Sequence, residues 1–225
     1  MIITIDGPVA SGKSSVARLI AHDLGFFYIN SGLLFRTYAY ILMRDASLSA
    51  QQLARVSPSQ IEAVDLDELR YVVENGTEQV LYRGENITHE LRSEMVSQAS
   101  SIVATNTVVR ALILAYERFL AAQHESIVID GRDTGSVVFP HAELKIYLTA
   151  QPAVRAKRWQ LDQEKRGVKL TIEQALDEVN ARDLRDKNRL IAPLIQPEDA
   201  HVIESSDLTI KEVVNKIKNL VVPLT

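Results

Sequence analysis

Short apolar runs alternate with stretches of helical spacing along most of the chain. Ile2 to Ile5 is a β-branched apolar run, which predicts a strand buried on both faces. The small residues Gly7 to Gly12 follow as a loop. Lys13 to Leu24 then places Val16, Leu19, Ile20 and Leu24 on one side of a helix, and Gly25 is the expected left-handed stop. Phe26 to Ile29 reads as a second strand. From Ser31 a further helical pattern runs through Leu34, Tyr38, Ile41 and Leu42.

The middle of the chain changes character. Leu69 to Glu74 and Glu78 to Arg83 have strand composition and flank Asn75-Gly76. Asn-Gly in that setting is a strong hairpin signal, because a type I′ turn needs positive φ twice. Gly84-Glu85-Asn86 reads as a second turn before Ile87. This antiparallel patch interrupts the α/β rhythm, so it is expected to be an insertion, either a surface decoration or a flap over a pocket.

The rhythm then resumes. Thr107 to Ala121 reads as a helix, Ser126 to Asp130 as a buried strand ending in a carboxylate, and Leu144 to Leu148 as another strand. Thr171-Ile172-Glu173-Gln174 is a capping box opening a long helix. Val202-Ile203 reads as a last strand, and Thr209 to Glu212 caps a final helix. Strands alternating with helices predict an α/β fold, a parallel sheet flanked by helices, with the small antiparallel insert added.

Composition narrows the function classes. The chain has 225 residues, enough for one large domain with a well-buried core. Its net charge of −4 is a poor footing for a nucleic-acid or anionic-membrane surface. Cysteine is absent, which excludes disulfides, zinc thiolates and thiol nucleophiles and fits a reducing, cytoplasmic setting. No apolar stretch approaches the roughly 18–20 residues of a membrane helix, and nothing at the N-terminus has the pattern of a targeting signal. The chain is therefore expected to work with small molecules, without nucleic acid or membrane.

Gly7-Pro8-Val9-Ala10-Ser11-Gly12-Lys13-Ser14 matches G-x-x-x-x-G-K-[ST], between a strand and a helix as the motif requires. Small residues let successive N–H groups turn inward onto phosphate oxygens, and the helix adds its positive end. Lys13 is expected to reach the β- and γ-phosphates, and Ser14 to ligate Mg²⁺. An ordinary glycine turn is the bland alternative. The motif leaves GTPases, motors and small-molecule kinases open. The chain lacks an Asn-Lys-x-Asp guanine reader, which weakens the first.

Asp130 closes its strand where a magnesium-bound water would need an acceptor, at the ligand crevice of a parallel sheet; a helix cap or turn aspartate is the alternative. Arg132 and Asp133 follow at once. Positive charge is concentrated between Gln151 and Arg189, which carries net +3 and leaves −7 to the rest. There Arg182, Arg185 and Arg189 are spaced i, i+3, i+7, which predicts one helical stripe of guanidiniums. A solvated face with a Glu178–Arg182 pair is the competing view. Phosphoryl transfer spreads negative charge over the oxygens of both substrates, and arginines neutralise it without covalent chemistry.

Four blocks resemble the bacterial-type cytidylate kinases. They are Ile3 to Gly7-Pro8 running into Gly12-Lys13-Ser14-Ser15, Ser31-Gly32-Leu33-Leu34-Phe35-Arg36, Asp130 to Pro140, and Arg182 to Arg189 with Ala192-Pro193-Leu194. The resemblance covers nearly the whole chain in order. It implies the P-loop nucleoside monophosphate kinase fold, with a core, a monophosphate-binding region carrying the insert at about residues 31–105, and a helical lid at about residues 155–168. It implies ATP-dependent phosphorylation of CMP and dCMP in pyrimidine metabolism, with Mg²⁺, by a monomer in the cytoplasm.

By the same resemblance, residues 7–15, ending in Ser14 and Ser15, hold ATP. Arg36, Arg132 and Arg189 hold the CMP phosphate, and Arg182 and Asp186 face the ribose. Ser31, Ser101, Arg110 and Asp133 read cytosine. Lys13, Arg132, Arg158, Arg185 and Arg189 serve catalysis, Arg158 by reaching the transferring phosphoryl. Ser14 and Asp130 serve the metal, the latter through water. An aspartate can accept from the cytosine amino group, whereas uracil presents an oxygen there. That mismatch costs roughly 1–3 kcal/mol per unpaired buried group. Other P-loop kinases, acting on AMP, UMP, dTMP or shikimate, and a nucleotide-dependent switch are the rival readings.

Overall fold

The computed structural model of the chain describes residues 1–49, 52–62, 64–74 and 76–221. In chain order its elements are β1 (Ile2–Asp6), α1 (Lys13–Leu24), β2 (Phe27–Asn30), α2 (Ser31–Asp45), α3 (Pro58–Glu62), β3 (Leu69–Glu74), β4 (Thr77–Tyr82), β5 (Glu85–Asn86), α4 (Glu94–Val103), α5 (Thr107–Ala122), β6 (Ile127–Gly131), β7 (Leu144–Thr149), α6 (Pro152–Lys165), α7 (Ile172–Lys187), β8 (His201–Glu204) and α8 (Ile210–Val221). The chain divides into two compact units, Met1–Phe26 with Ser126–Thr225, and Phe27–Glu125.

In the first unit, parallel strands lie in the order β6-β1-β7-β8. The apolar run Ile2 to Ile5 forms β1 between β6 and β7, where Ile5 pairs with Asp130 on one side and Ile146 on the other. Ile3, Thr4 and Ile5 are fully buried, as a strand covered on both faces must be. Parallel strands end on one edge, so the segment after β1 and the segment after β6 emerge side by side. That edge is where the site is built.

The helices of this unit follow the apolar stripes. α1 buries Val16, Ala17, Ile20 and Ala21 and ends at Gly25, whose φ is 68°. Burying the Ile20 side chain contributes about 1.5–3 kcal/mol. α7 opens with the expected capping box, Thr171 and Gln174 bonding each other's backbone. Thr209 and Glu212 exchange the same pair of bonds at the start of α8.

In the second unit, β3, β4 and β5 form an antiparallel sheet. Leu69, Tyr71, Val80 and Tyr82 are buried, and Gly76 turns the first hairpin with φ 71°. Asn75, its expected turn partner, lies outside the described residues. The second turn differs from the sequence reading. Arg83 and Gly84 both take positive φ, 51° and 79°, and reverse the chain in two residues. Glu85 and Asn86 are therefore strand, paired with Tyr82 and Leu81, and not turn. Arg83 keeps this conformation with its guanidinium 5.1 Å from the Tyr82 ring and 3.3 Å from Asp45.

Candidate active site

The loop after β1 is shaped by close approach. A Cβ at Gly7 would sit 2.0 Å from the Leu148 carbonyl oxygen, so only glycine lets the loop leave β1 against β7. Gly12, with φ 96°, turns the backbone into α1. Lys13 folds back across the loop, its Nζ donating to the Pro8 carbonyl at 2.6 Å and Ser11 Oγ at 3.3 Å. Burial, and then the Arg132 charge, bring the Lys13 ammonium down to about 7. Ser14 Oγ donates to Asp130 Oδ2 at 2.8 Å, joining the loop to the end of β6. Pro8 and Val9 are buried, while Ser15 is exposed.

Two clamps that the motif does not contain hold this loop. The Val9 N–H donates to Asp183 Oδ1 at 3.1 Å, and Arg155 reaches the Val9 carbonyl at 3.2 Å and Asp183 Oδ2 at 2.5 Å. The N–H and the carbonyl of one loop residue are thereby gripped by a buried ion pair from α6 and α7. Val9 also packs in an apolar cluster with Ala156, Trp159, Ala175 and Val179. At the second clamp Arg158 donates to the Ser11 carbonyl at 3.4 Å and to Ser205 Oγ and its carbonyl at 3.1 and 2.6 Å. The stretch expected as a lid is mostly α6, and these contacts seat it on the loop.

The sequence held a signal for Asp183. Ala175, Val179 and Asp183 are the buried positions of α7, at i, i+4 and i+8, so a carboxylate stands on the apolar stripe. Asp6 is the second buried acid not singled out beforehand. It accepts from the Thr134 N–H and Oγ1 and from the Gly135 N–H, at 2.9, 2.8 and 2.7 Å. These bonds fix the single wide helical turn of Thr134–Val138 against β1. Burial pushes the Asp6 carboxyl up, against the pull of those N–H donors.

The expected arginine stripe is not one stripe. α7 ends at Lys187 with Asn188 as its cap, so Arg189 stands beyond the helix, where the i, i+7 relation no longer sets its direction. Arg189 lies 3.7 Å from Asp133, both side chains buried. Arg182 lies over the Trp159 ring at 4.8 Å, and Glu178 accepts from Trp159 Nε1. Arg185 is exposed. Arg132 Nε donates to Asp186 at 2.7 Å. Burial opposes the Arg132 charge, yet Asp186 and Asp130 hold its pKa above the ordinary value. Against burial, Arg132 and then Arg189 hold the Asp186 carboxyl below its usual range, with Lys13 contributing. Lys13, Arg132 and Arg189 thus act on one carboxylate.

The second unit carries the other expected residues. Ser31, almost fully buried, opens α2 directly after its cap Asn30, and Arg36 lies one turn on. Ser101 is on α4, half-buried. Arg110 is on α5, over the Phe35 ring at 5.3 Å, with one N–H on the Ala104 carbonyl at 3.2 Å.

Among the described residues no three His, Cys, Asp or Glu side chains gather as a metal cage. One hydroxyl beside one carboxylate is instead the donor set of an octahedral cation that shares its shell with phosphate oxygens and water, and Ser14 with Asp130 fits that description. Among the described residues no single helix is long and apolar enough to cross a membrane.

The cytidylate kinase family model matches residues 3–222. A cytidylate kinase of Caldicellulosiruptor saccharolyticus is 36% identical over 97% of this chain and 94% of its own length. One of Colwellia psychrerythraea is 39% identical over 96% and 93%. The crystal structure of an uncharacterized protein from Eubacterium ventriosum superposes with a TM-score of 0.51 at 14% identity, covering 98% of this chain and 97% of that one, a likeness of fold alone.

Proposed function

This chain belongs to the cytidylate kinase family, and from that premise we propose how its own residues carry the reaction. The fold is the P-loop nucleoside monophosphate kinase fold, and the activity is ATP-dependent phosphorylation of CMP and dCMP to CDP and dCDP.

The observation that carries the residue assignment is the charge arrangement at the sheet edge. Arg132 is bonded to Asp186 at 2.7 Å, Arg189 lies 3.7 Å from Asp133, and the charges of Lys13, Arg132 and Arg189 all bear on the Asp186 carboxylate, which supports a site for two phosphate chains. In this reading the backbone of residues 7–15 cradles the ATP phosphates, and Lys13 turns from the Pro8 carbonyl onto them. Ser14 and Asp130 would hold Mg²⁺, which when bound neutralises charge on the phosphate oxygens. Arg132 and Arg189, with Arg36, take the CMP phosphate. The attacking oxygen is already anionic, so no general base is needed. The protein positions, neutralises and excludes water. Arg158 is held on Ser11 and Ser205 and reaches the transferring phosphoryl only by leaving them. Arg185 is free to swing inward from its exposed position.

Ser31, Ser101, Arg110 and Asp133 would read cytosine, and Arg182 and Asp186 the ribose. Residues 155–168 would form the lid, and about residues 31–105 the monophosphate-binding region. The reading places the chain in the cytoplasm as a monomer, with nucleotides and not nucleic acid or membrane as its partners. A coupled assay of ADP release across CMP, dCMP, UMP, AMP and shikimate tests it. Stimulation by CMP and dCMP well above the others is expected. Equal rates with all five, or preference for another acceptor, would overturn it.

A further inference from the structure

We propose that the antiparallel sheet of the second unit is a brace for the start of α2, with Tyr71 and Glu78 acting through Asn30 as positioning residues for the CMP acceptor. This rests on the reading that Ser31 and Arg36 touch that substrate. Asn30 is the cap of α2, its Oδ1 accepting from the Leu33 N–H at 3.0 Å. A cap needs no more than that. Here the same residue is held twice more. Its Nδ2 donates to Glu78 Oε1 at 3.3 Å, and its backbone N–H donates to the Tyr71 hydroxyl at 3.0 Å.

The two holding side chains come from different strands of the sheet, Tyr71 from β3 and Glu78 from β4. Tyr71 pairs with Val80, so Glu78, two residues before Val80, lies diagonally beside Tyr71 on the same face. Both are about 95% buried. A buried carboxylate on the inward face of a small sheet is costly without a partner. Donation from Asn30 offsets that cost. The sheet is tied to further elements that carry assigned residues. The Tyr116 hydroxyl of α5, the helix of Arg110, donates to the Leu69 carbonyl of β3 at 3.1 Å. The Tyr71 ring meets Phe27 edge-on at 6.1 Å, and Phe27 stacks on His124 at 3.7 Å. The insert thus fixes where the chain enters α2, one residue before Ser31.

The decisive variant is Asn30→Asp. As caps, Asn and Asp are equivalent, so capping alone predicts no change. The brace predicts harm, because the new carboxylate faces Glu78. The expected result is a rise of about tenfold in KM for CMP, with KM for ATP within about twofold and kcat changed less than KM for CMP. Adding Glu78→Gln, whose amide can donate, should bring KM for CMP back to within about threefold. An unchanged KM for CMP, an equal rise for ATP, or no recovery in the double variant would overturn the brace. If Asn30→Asp does not fold, Tyr71→Phe removes only the hydroxyl and should raise KM for CMP about fivefold; no rise refutes the proposal. A wild-type chain inert toward CMP defeats the functional reading. An active wild type with unaffected variants defeats the brace alone.

Discussion

The two units hold their functional groups in different ways. In the first, the phosphate-binding groups of residues 7–15 sit on a loop whose path is imposed by the backbone. Gly7 presses on β7, Val9 is gripped at both its N–H and its carbonyl, and the Ser11 carbonyl receives Arg158. In the second, the assigned side chains ride on helices, and a separate small sheet fixes where one of those helices starts. A backbone cradle tolerates few sequences, because glycine and a small-residue spacing are the only solutions. A braced helix tolerates many, because any buried donor–acceptor set can set a cap. The first kind of site leaves a motif in the sequence, whereas the brace behind the second does not.

The contrast can be broken most severely at Lys13. Lys13→Ala is expected to lower kcat about 10³-fold, since it removes a charge on the transferring phosphates. The melting temperature should stay within a few degrees of wild type, because the neutral form is what burial favours. Near-normal turnover would remove Lys13 from the mechanism. Asp183→Ala probes the clamp. It strands Arg155 as a buried charge and should cost about 3 kcal/mol, read as a melting temperature lower by about 6–12 °C. KM for ATP should rise more than KM for CMP. A melting shift under about 2 °C would make the clamp incidental.

Asp133→Ala asks whether base reading survives the loss of one acceptor. Discrimination of CMP over UMP, measured as the ratio of kcat/KM values, should fall by roughly 5- to 150-fold. Equal losses toward both acceptors would remove Asp133 from base reading. The subtlest effect is protonic. With its pKa near 7, Lys13 is largely neutral at pH 8 in the free protein, and bound phosphate restores its charge. ATP binding should then take up most of a proton at pH 8 and almost none from this group at pH 6, measured by calorimetry in buffers of different ionisation enthalpy. An unfolded lysine keeps its proton to about 10.4, so the cost of burying Lys13 is fully present below pH 7 and is relieved as pH rises above it. No uptake at pH 8 would contradict the depressed lysine.

The parallel strands, the bounds of α1 and the capping box of α7 were legible, because periodicity and caps are local. Lys13, Ser14 and Asp130 were legible because a motif and a strand end fix them. What stayed hidden depends on long-range geometry. The partners of Asp183 include Val9, 174 residues away, so only its place on an apolar stripe marked it. The stripe of Arg182, Arg185 and Arg189 failed because the helix stops at Lys187. The turn at Arg83-Gly84 was displaced because Arg83 adopts a positive φ that its residue type does not announce. Tyr71 and Glu78 gave no sign of converging on Asn30, since that requires the register of β3 against β4.

The most direct measurement follows the phosphorus. ATP carrying labelled γ-phosphorus is turned over with CMP, and the label is traced in product and in free phosphate. Direct transfer between two nucleotides is expected to place one label in each CDP formed, at the rate of ADP release. Label appearing in inorganic phosphate, with CMP left unchanged and ADP release indifferent to it, would mean that the cations of this site grip a single nucleotide.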